Sequence, residues 1–106
     1  MKDLHISLLS DIYGGLLTEK QRDIVRDYFD YDLSLGEIAA SYGISRQAVA
    51  DTVKTCERSL CKYEETLGFA ARLADIRAAV ASVSDSLAHG DSVKAKADAD
   101  ALLSEL

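Results

Sequence analysis

The stretch 34–49, SLGEIAASYGISRQAV, constrains the fold of this 106-residue chain more than any other. Ser34 and Glu37 have the spacing of a capping box, in which each side chain bonds to the backbone of the other residue at a helix start. Gly43 stands where helices commonly end on a left-handed residue, and Ser45 can cap the helix that follows. A short helix, a glycine turn and a second capped helix have the spacing of a helix-turn-helix.

The whole chain has the pattern of amphipathic helices. It contains no proline, and its apolar residues recur at steps of three and four. We predict six helices and no strand, at roughly 3–14, 18–30, 35–42, 45–67, 69–88 and 92–106. The side chains predicted to face inward are Leu4, Leu8, Leu9, Ile12 and Tyr13, then Ile24, Val25, Tyr28 and Phe29, then Leu35, Ile38 and Ala39, then Val49, Val53, Cys56, Leu60, Tyr63 and Leu67. The same stepping continues through Phe69, Leu73, Ile76, Val80, Val83 and Leu87, and through Ala95, Ala99, Leu102 and Leu106.

This pattern predicts an all-α protein with two domains: a helix-turn-helix bundle at 1–68, whose fourth helix is long, and an alanine-rich helical arm at 69–106. The simplest arrangement of the arm is an antiparallel hairpin of its two helices, docked on the end of the fourth helix. The alternative is a swapped or dimeric coiled coil. Because apolar stripes are left over on a small acidic chain, the sequence favours a homodimer through the C-terminal helices.

The charge of the chain argues against a protein that binds nucleic acid over its whole surface. Twelve Lys and Arg stand against 18 Asp and Glu, for a net charge of −6, whereas binding to a polyanion gains affinity from counterion release at phosphates. From residue 33 to residue 62, four basic and three acidic residues leave a net +1. Any nucleic-acid contact must therefore come from a local patch.

The helix after the glycine turn carries the candidate binding residues. In a DNA-binding helix-turn-helix, the early outward residues of the second helix meet base edges in the major groove. Arg can pair with guanine and Gln with adenine, while Lys and Arg further along can contact phosphates and an Asp would be repelled by them. The alternative is a solvated or protein-binding face, which the overall charge favours. The candidate nucleic-acid or partner-binding residues are Ser45, Arg46, Gln47, Ala50, Asp51, Lys54 and Arg58.

Other chemistry finds little support in the sequence. Cys56 and Cys61 are five residues apart on one predicted helix, which suits neither a disulfide nor a zinc set, so we expect reduced thiols. The acidic residues at 27, 30 and 32 lack the ligand spacing of a calcium loop, and we expect no metal and no cofactor. With no phosphate loop or nucleophile motif, we expect no enzyme. No signal peptide or membrane-length apolar run occurs, so we expect a cytoplasmic protein without membrane insertion.

Three segments together resemble a known family: LLTEKQR at 16–22, DLSLGEIAASYGISRQAV at 32–49 and YEETLG at 63–68. They are similar to the YlxM family of small bacterial helix-turn-helix proteins, over roughly residues 4–68. That family in turn resembles, at the level of fold, the promoter-reading fourth region of sigma factors. The resemblance implies a cytoplasmic accessory or regulator of the signal recognition particle pathway, linked with the particle, its GTPase and the receptor GTPase.

Carried over residue by residue, the resemblance covers 45–49 and departs at Ala50, where relatives commonly have an aromatic residue. The tail from Phe69 does not match the family pattern. Two hypotheses follow. In the first, which we favour, the protein binds a protein or RNA component of the signal recognition particle pathway and performs no chemistry itself. In the second, it is a DNA-binding transcriptional regulator that reads base edges with Arg46 and Gln47.

Overall fold

A computed structural model describes residues 3–106 of the chain. Within that range the protein is all-α and has no strand, as predicted. The helices are α1 Leu4–Tyr13, α2 Glu19–Val25, α3 Leu35–Tyr42, α4 Arg46–Leu67, α5 Phe69–Ala88 and α6 Ser92–Glu105. A 3₁₀ turn, Gly14–Leu16, follows α1, and a π-helical turn, Arg26–Asp30, follows α2.

Two capping boxes are present, one of them the predicted box at Ser34 and Glu37. The Thr18 hydroxyl accepts a hydrogen bond from the Gln21 N–H at 3.1 Å, and the Gln21 side chain accepts one from the Thr18 N–H at 3.0 Å. Ser34 and Glu37 make the same pair of contacts, both at 3.1 Å. These side chains satisfy N–H groups that have no partner within the helix, which fixes where α2 and α3 begin.

The chain forms two compact units, one ending at Ala70 and the other comprising Ala71–Leu106. The first unit has a continuous apolar core in which α1, α2 and α3 all pack on α4. The side chains at its centre, all fully buried, are Leu9, Ile24, Val25, Ile38, Val49, Cys56 and Leu60. The long fourth helix is therefore the scaffold of this unit.

The inward face of α1 agrees with the prediction in part. Leu9 and Tyr13 are buried and Ile12 packs against the core, as predicted. Ile6 is also buried, whereas Leu4 is 68% exposed and Leu8 is 46% exposed. At about 100° per residue, Leu4 and Leu8 lie on the side of α1 opposite Ile6. Two apolar stripes run along this helix, and only packing against α4 decides which is buried.

The second predicted helix changes its geometry near the middle. It is α-helical only to Val25 and continues to Asp30 as a π-helical turn, closed by a 3.1 Å hydrogen bond from the Tyr31 N–H to the Arg26 carbonyl. Tyr28 is half-buried and Phe29 is buried on this turn. The wider turn rotates the residues that follow it relative to an unbroken α-helix.

The junction between α4 and α5 is held by side chains from distant parts of the first unit. Gly68 ends α4 in the left-handed conformation, with φ +65°. The Phe69 N–H donates to the Tyr13 hydroxyl at 3.0 Å, and the Ala70 N–H donates to Glu64 at 2.9 Å. Two N–H groups in the first turn of α5 thus gain partners. The last apolar residue predicted to face inward on α4, Leu67, is 47% exposed.

In the second unit, α5 and α6 form an antiparallel hairpin. Arg72 near the start of α5 donates to the Glu105 carbonyl at 3.0 Å, while Lys94 near the start of α6 contacts Ser86 at 3.3 Å. Asp91 is the cap of α6. The predicted inward stripe is largely uncovered, and its exposed members are Phe69, Leu73, Val80, Leu87 and Leu106. The prediction that both segments are helical is confirmed, but the prediction that every apolar side chain of the stripe is buried was wrong.

Candidate partner-binding face of the helix-turn-helix

The turn between α3 and α4 is built from three consecutive residues. Gly43 adopts φ +67°, and the next N–H, that of Ile44, donates to the Ala39 carbonyl at 3.1 Å. The Ile44 side chain is half-buried against the core. The Ser45 hydroxyl then accepts a hydrogen bond from the Ala48 N–H at 3.0 Å and caps α4. This sequence of contacts sets the direction in which α4 leaves the turn.

One side of α4 is buried in the core and the opposite side is exposed. Val49, Val53, Cys56 and Leu60 form the buried side. At about 100° per residue, the side chains that point the other way are those of Gln47, Asp51, Lys54, Arg58 and Lys62, all of which are exposed. We call these five residues the outer face of α4. Its charges are three positive and one negative.

Arg46 lies beside this face, against α3. A β-carbon added at Gly36 would lie 3.6 Å from the Arg46 Nε atom, so the guanidinium group passes closely over this glycine. The side chain nevertheless remains exposed. Arg46 of α4 thus lies against Gly36 of α3, a contact that sequence spacing alone could not reveal.

Gln47 and Asp51 are joined to each other. The Gln47 amide Nε2 donates a 2.8 Å hydrogen bond to the Asp51 Oδ1, across one turn of α4. One of the two N–H donors of the amide that could pair with an adenine is therefore engaged by a neighbouring carboxylate. The pair presents a carboxylate close to the start of the outer face, where a nucleic-acid backbone would be repelled.

Ala50 was predicted to lie on the outer face but is half-buried at its edge. It lines a shallow groove together with Tyr28, Leu35, Val53, Lys54 and Glu57. At position 50 the helix has turned about 90° from the middle of the buried side, towards Leu35 of α3, which explains its partial burial. The groove places an apolar strip directly beside the charged face.

The C-terminal half of the outer face is the more basic half. Lys54, Arg58, Glu57 and Cys61 line a second shallow depression. Lys62 continues the row at the i+4 position from Arg58 and was not among the predicted site residues. The signal that could have found it was that spacing, because side chains four residues apart share a helix face.

Two side chains that pack behind the helix-turn-helix, those of Tyr42 and Cys56, have raised pKa values. The Tyr42 hydroxyl donates to Asp27 at 3.2 Å and ties the end of α3 to the π turn. Burial, followed by the negative charge of Asp27, raises the pKa of Tyr42 above its usual value of 10.0. Burial also raises the pKa of the Cys56 thiol. Both groups are thus kept neutral and help to hold α3 and α4 in place.

The described residues form no metal site and no membrane-spanning helix. Among residues 3–106, no three His, Cys, Asp or Glu side chains lie close enough together to hold one metal ion. Of the early acidic residues, Asp27 accepts from Tyr42 and Asp30 accepts from the Ser7 hydroxyl. No helix in the described part of the chain is both long and apolar enough to cross a bilayer.

The short helix, left-handed glycine turn and long second helix with an exposed outer side define a helix-turn-helix protein. A family model described as "Putative helix-turn-helix protein, YlxM / p13 like" matches residues 1–99. The chain therefore belongs to the UPF0122 family of YlxM/p13-like proteins. The match extends past residue 68, so it includes α5 and part of α6, which the sequence resemblance did not cover.

Relatives from several bacteria carry the same family name. A UPF0122 protein of Desulforamulus reducens is 52% identical over 73 residues, which make up 68% of this chain and 62% of the relative. One from Symbiobacterium thermophilum is 50% identical over 72 residues, 67% of each chain. One from Shouchella clausii is 40% identical over 94 residues, 89% of this chain and 86% of the relative. The chain thus spans less than two thirds of the Desulforamulus protein's length.

Proposed function

We propose that this protein is a non-catalytic accessory or regulator of the signal recognition particle pathway, which binds a protein or RNA component of that pathway through the outer face of α4 and the groove beside it. The YlxM resemblance supports the pathway, and membership of the family supports the resemblance. The binding residues are Ser45, Arg46, Gln47, Ala50, Asp51, Lys54 and Arg58, with Lys62 added from the structure.

One observation carries the choice of partner: the Gln47–Asp51 hydrogen bond. It engages one N–H of a side chain that could read a base edge, and it keeps a carboxylate at the start of the outer face. Such a surface, with a carboxylate at one end, Lys and Arg at the other and an apolar groove alongside, has the mixed composition of a protein-binding surface. It is less suited to the backbone of DNA or RNA, whose phosphates gain affinity from Lys and Arg and are repelled by the Asp51 carboxylate, so a protein component is favoured over the RNA.

The test is a binding measurement with purified components: the particle's GTPase, the receptor GTPase and the particle's RNA, each against the full chain. Lys54→Glu reverses one charge on the outer face. Lys20→Glu reverses the same charge at an exposed position on α2 and serves as the matched control. We expect wild type and Lys20→Glu to bind equally, and Lys54→Glu to bind about tenfold more weakly, which corresponds to roughly 1.4 kcal/mol. If wild type binds none of the three components, the proposal is wrong.

DNA binding is the second candidate, and the fold itself favours it, since Arg46, Gln47, Lys54 and Arg58 are exposed on the helix that would enter the major groove. On this hypothesis the affinity for duplex DNA falls steeply with salt concentration. Asp51→Asn should then strengthen DNA binding, because it removes a charge that phosphates repel. A flat salt dependence, or Asp51→Asn without effect on DNA affinity, contradicts the DNA hypothesis and leaves the first proposal standing.

A further inference from the structure

The second unit buries very little apolar surface. Within Ala71–Leu106 the buried residues are Ser86 and Ala95, a hydroxyl-bearing residue and a single methyl group. Its large apolar side chains are half-buried or exposed. A 14-residue helix such as α6 is marginal in water by itself, and most helical stability in proteins comes from packing an apolar face. The hairpin therefore needs a further apolar surface against it.

The uncovered apolar side chains of α5 form a straight stripe. Leu73, Val80 and Leu87 are seven residues apart and are 42%, 53% and 58% exposed. Seven residues turn the chain by nearly two full turns, so these three side chains lie almost in line along the helix. Apolar residues at heptad spacing are the pattern by which one helix packs along another in a coiled coil or helical bundle.

The polar contacts of the hairpin lie away from this stripe. Lys94 contacts Asp98 at 3.0 Å and Ser86 at 3.3 Å, and Ser82 donates to Asp98 at 2.8 Å. On α5, Ser82 and Ser86 are turned about 140–180° from Leu73. The hairpin thus has a polar edge, where its own charges are paired, and an apolar edge, where nothing in the second unit covers the stripe.

Charge pairing within the hairpin limits what can cover the apolar edge. Besides Lys94–Asp98, the ion pairs of the hairpin include Arg72–Glu105 at 3.6 Å and Lys96–Asp100 at 2.9 Å. Since these three cations already have carboxylate partners, an anionic partner such as nucleic acid gains little from them. The surface suits an apolar helix with matching heptads, and α5 of a second copy supplies one.

We propose that the apolar edges of two copies pack together, so that two hairpins form an antiparallel four-helix bundle with Val80 at its centre. In a parallel pairing, positions five residues apart on the two helices face each other, which would bring Arg72 of one copy beside Arg77 of the other. An antiparallel pairing avoids this repulsion and places Leu73 of one copy beside Leu87 of the other. A twofold axis satisfies both copies at once.

The first test measures the mass of the full chain in solution by sedimentation velocity over a range of concentrations. We expect wild type to dimerise and Val80→Asp to weaken the dimer by at least about a hundredfold, because a carboxylate would be buried unpaired. Val93→Asp is the matched control: Val93 is 82% exposed on α6, on the side facing away from α5. The control should dimerise like wild type. A monomeric wild type, or equal loss in both variants, overturns the proposal.

Disulfide crosslinking tests the orientation and does not depend on a destabilising change. In a Cys61→Ser background, Leu73→Cys and Leu87→Cys proteins are mixed and oxidised. An antiparallel bundle gives mainly the mixed Leu73→Cys/Leu87→Cys disulfide, whereas a parallel pair gives the two homodimeric disulfides, which would contradict the proposed arrangement. These outcomes are independent of the partner proposed above, because neither experiment involves the outer face of α4.

Discussion

The Tyr13 hydroxyl donates a 2.6 Å hydrogen bond to the carboxylate of Glu64, 51 positions further along the chain. The same hydroxyl accepts from the N–H of Phe69, and the rings of Tyr13 and Phe69 stack with their centroids 6.2 Å apart. Burial, followed by the hydrogen bond to Glu64, raises the pKa of Tyr13 and keeps the hydroxyl protonated. One side chain of α1 thus organises both the end of α4 and the start of α5.

Replacing Tyr13 by Phe should lower the melting temperature by several degrees. The ring and its stacking remain, but Glu64 loses a donor and the Phe69 N–H loses its acceptor. Thermal unfolding followed by circular dichroism measures the effect. The matched control is Tyr31→Phe, since Tyr31 is 62% exposed at the end of the π turn. Equal melting temperatures for Tyr13→Phe and wild type would show that the hydroxyl does not hold the junction.

The stability of the first unit should depend strongly on Leu60 and weakly on Leu4. Leu60 is fully buried on α4, so Leu60→Ala should cost about 2–5 kcal/mol of unfolding free energy. Leu4 is 68% exposed, so Leu4→Ala should change the unfolding free energy by no more than about 0.5 kcal/mol. Urea denaturation of both variants checks the pair. A large loss of unfolding free energy in Leu4→Ala would contradict this explanation, because it would mean that Leu4 packs in the core.

Gly43 should tolerate substitution poorly for backbone reasons alone. Its φ is +67°, and a β-carbon there would meet nothing within 4 Å, so Gly43→Ala should cost about 1–2 kcal/mol through strain and not through a clash. Gly15 also has open space around it but no positive φ. Gly15→Ala should therefore be neutral or stabilise by up to about 1 kcal/mol. Denaturant midpoints compare the two, and a loss at Gly15 equal to that at Gly43 would contradict the explanation.

The hairpin of α5 and α6 should lose stability in acid through Asp98. The hydrogen bond from Lys94, followed by that from Ser82, holds the pKa of Asp98 below its usual 3.8. A lowered pKa means that the stabilisation is present above the unfolded value and is lost as the pH falls through the lower, folded value. Helicity of the second unit should therefore fall as the pH drops below about 4, the usual range for Asp.

The order of the two causes can be measured directly. The pKa of Asp98, obtained by NMR titration, should rise in both Lys94→Gln and Ser82→Ala. The rise should be larger in Lys94→Gln, because this substitution removes both a hydrogen bond and a positive charge. A larger rise of the Asp98 pKa in Ser82→Ala than in Lys94→Gln would contradict this order of causes.

Local chemistry made much of the fold predictable. The two helices of the motif could be placed from the sequence, because their ends are set by contacts within four residues. Ser34 and Ser45 cap the helix starts, and Gly43 ends α3. The inward face of α1 could be placed only in part, because Leu4 and Leu8 form as regular a stripe as Ile6 and Leu9. Which stripe is buried depends on the distant residues of α4.

The candidate site was also predictable in part from local sequence patterns. The phase of Val49 and Val53 indicates which side chains of α4 point outward, and the i+4 spacing of Gln47 and Asp51 permits their hydrogen bond. The contact of Arg46 with Gly36 depends on the angle between two helices, which no local pattern encodes. The stripe on α5 shows the same limit, since periodicity identifies an apolar side but not what covers it.

The two cysteines of α4 have very different surroundings, and this has a practical consequence. Cys56 is enclosed in the core, while Cys61 is exposed in the depression that it lines with Lys54 and Arg58. A maleimide dye added to the native protein should therefore attach at Cys61 alone. The unaltered chain thus offers a single labelling position next to the proposed contact surface, where fluorescence anisotropy or quenching could report a bound molecule.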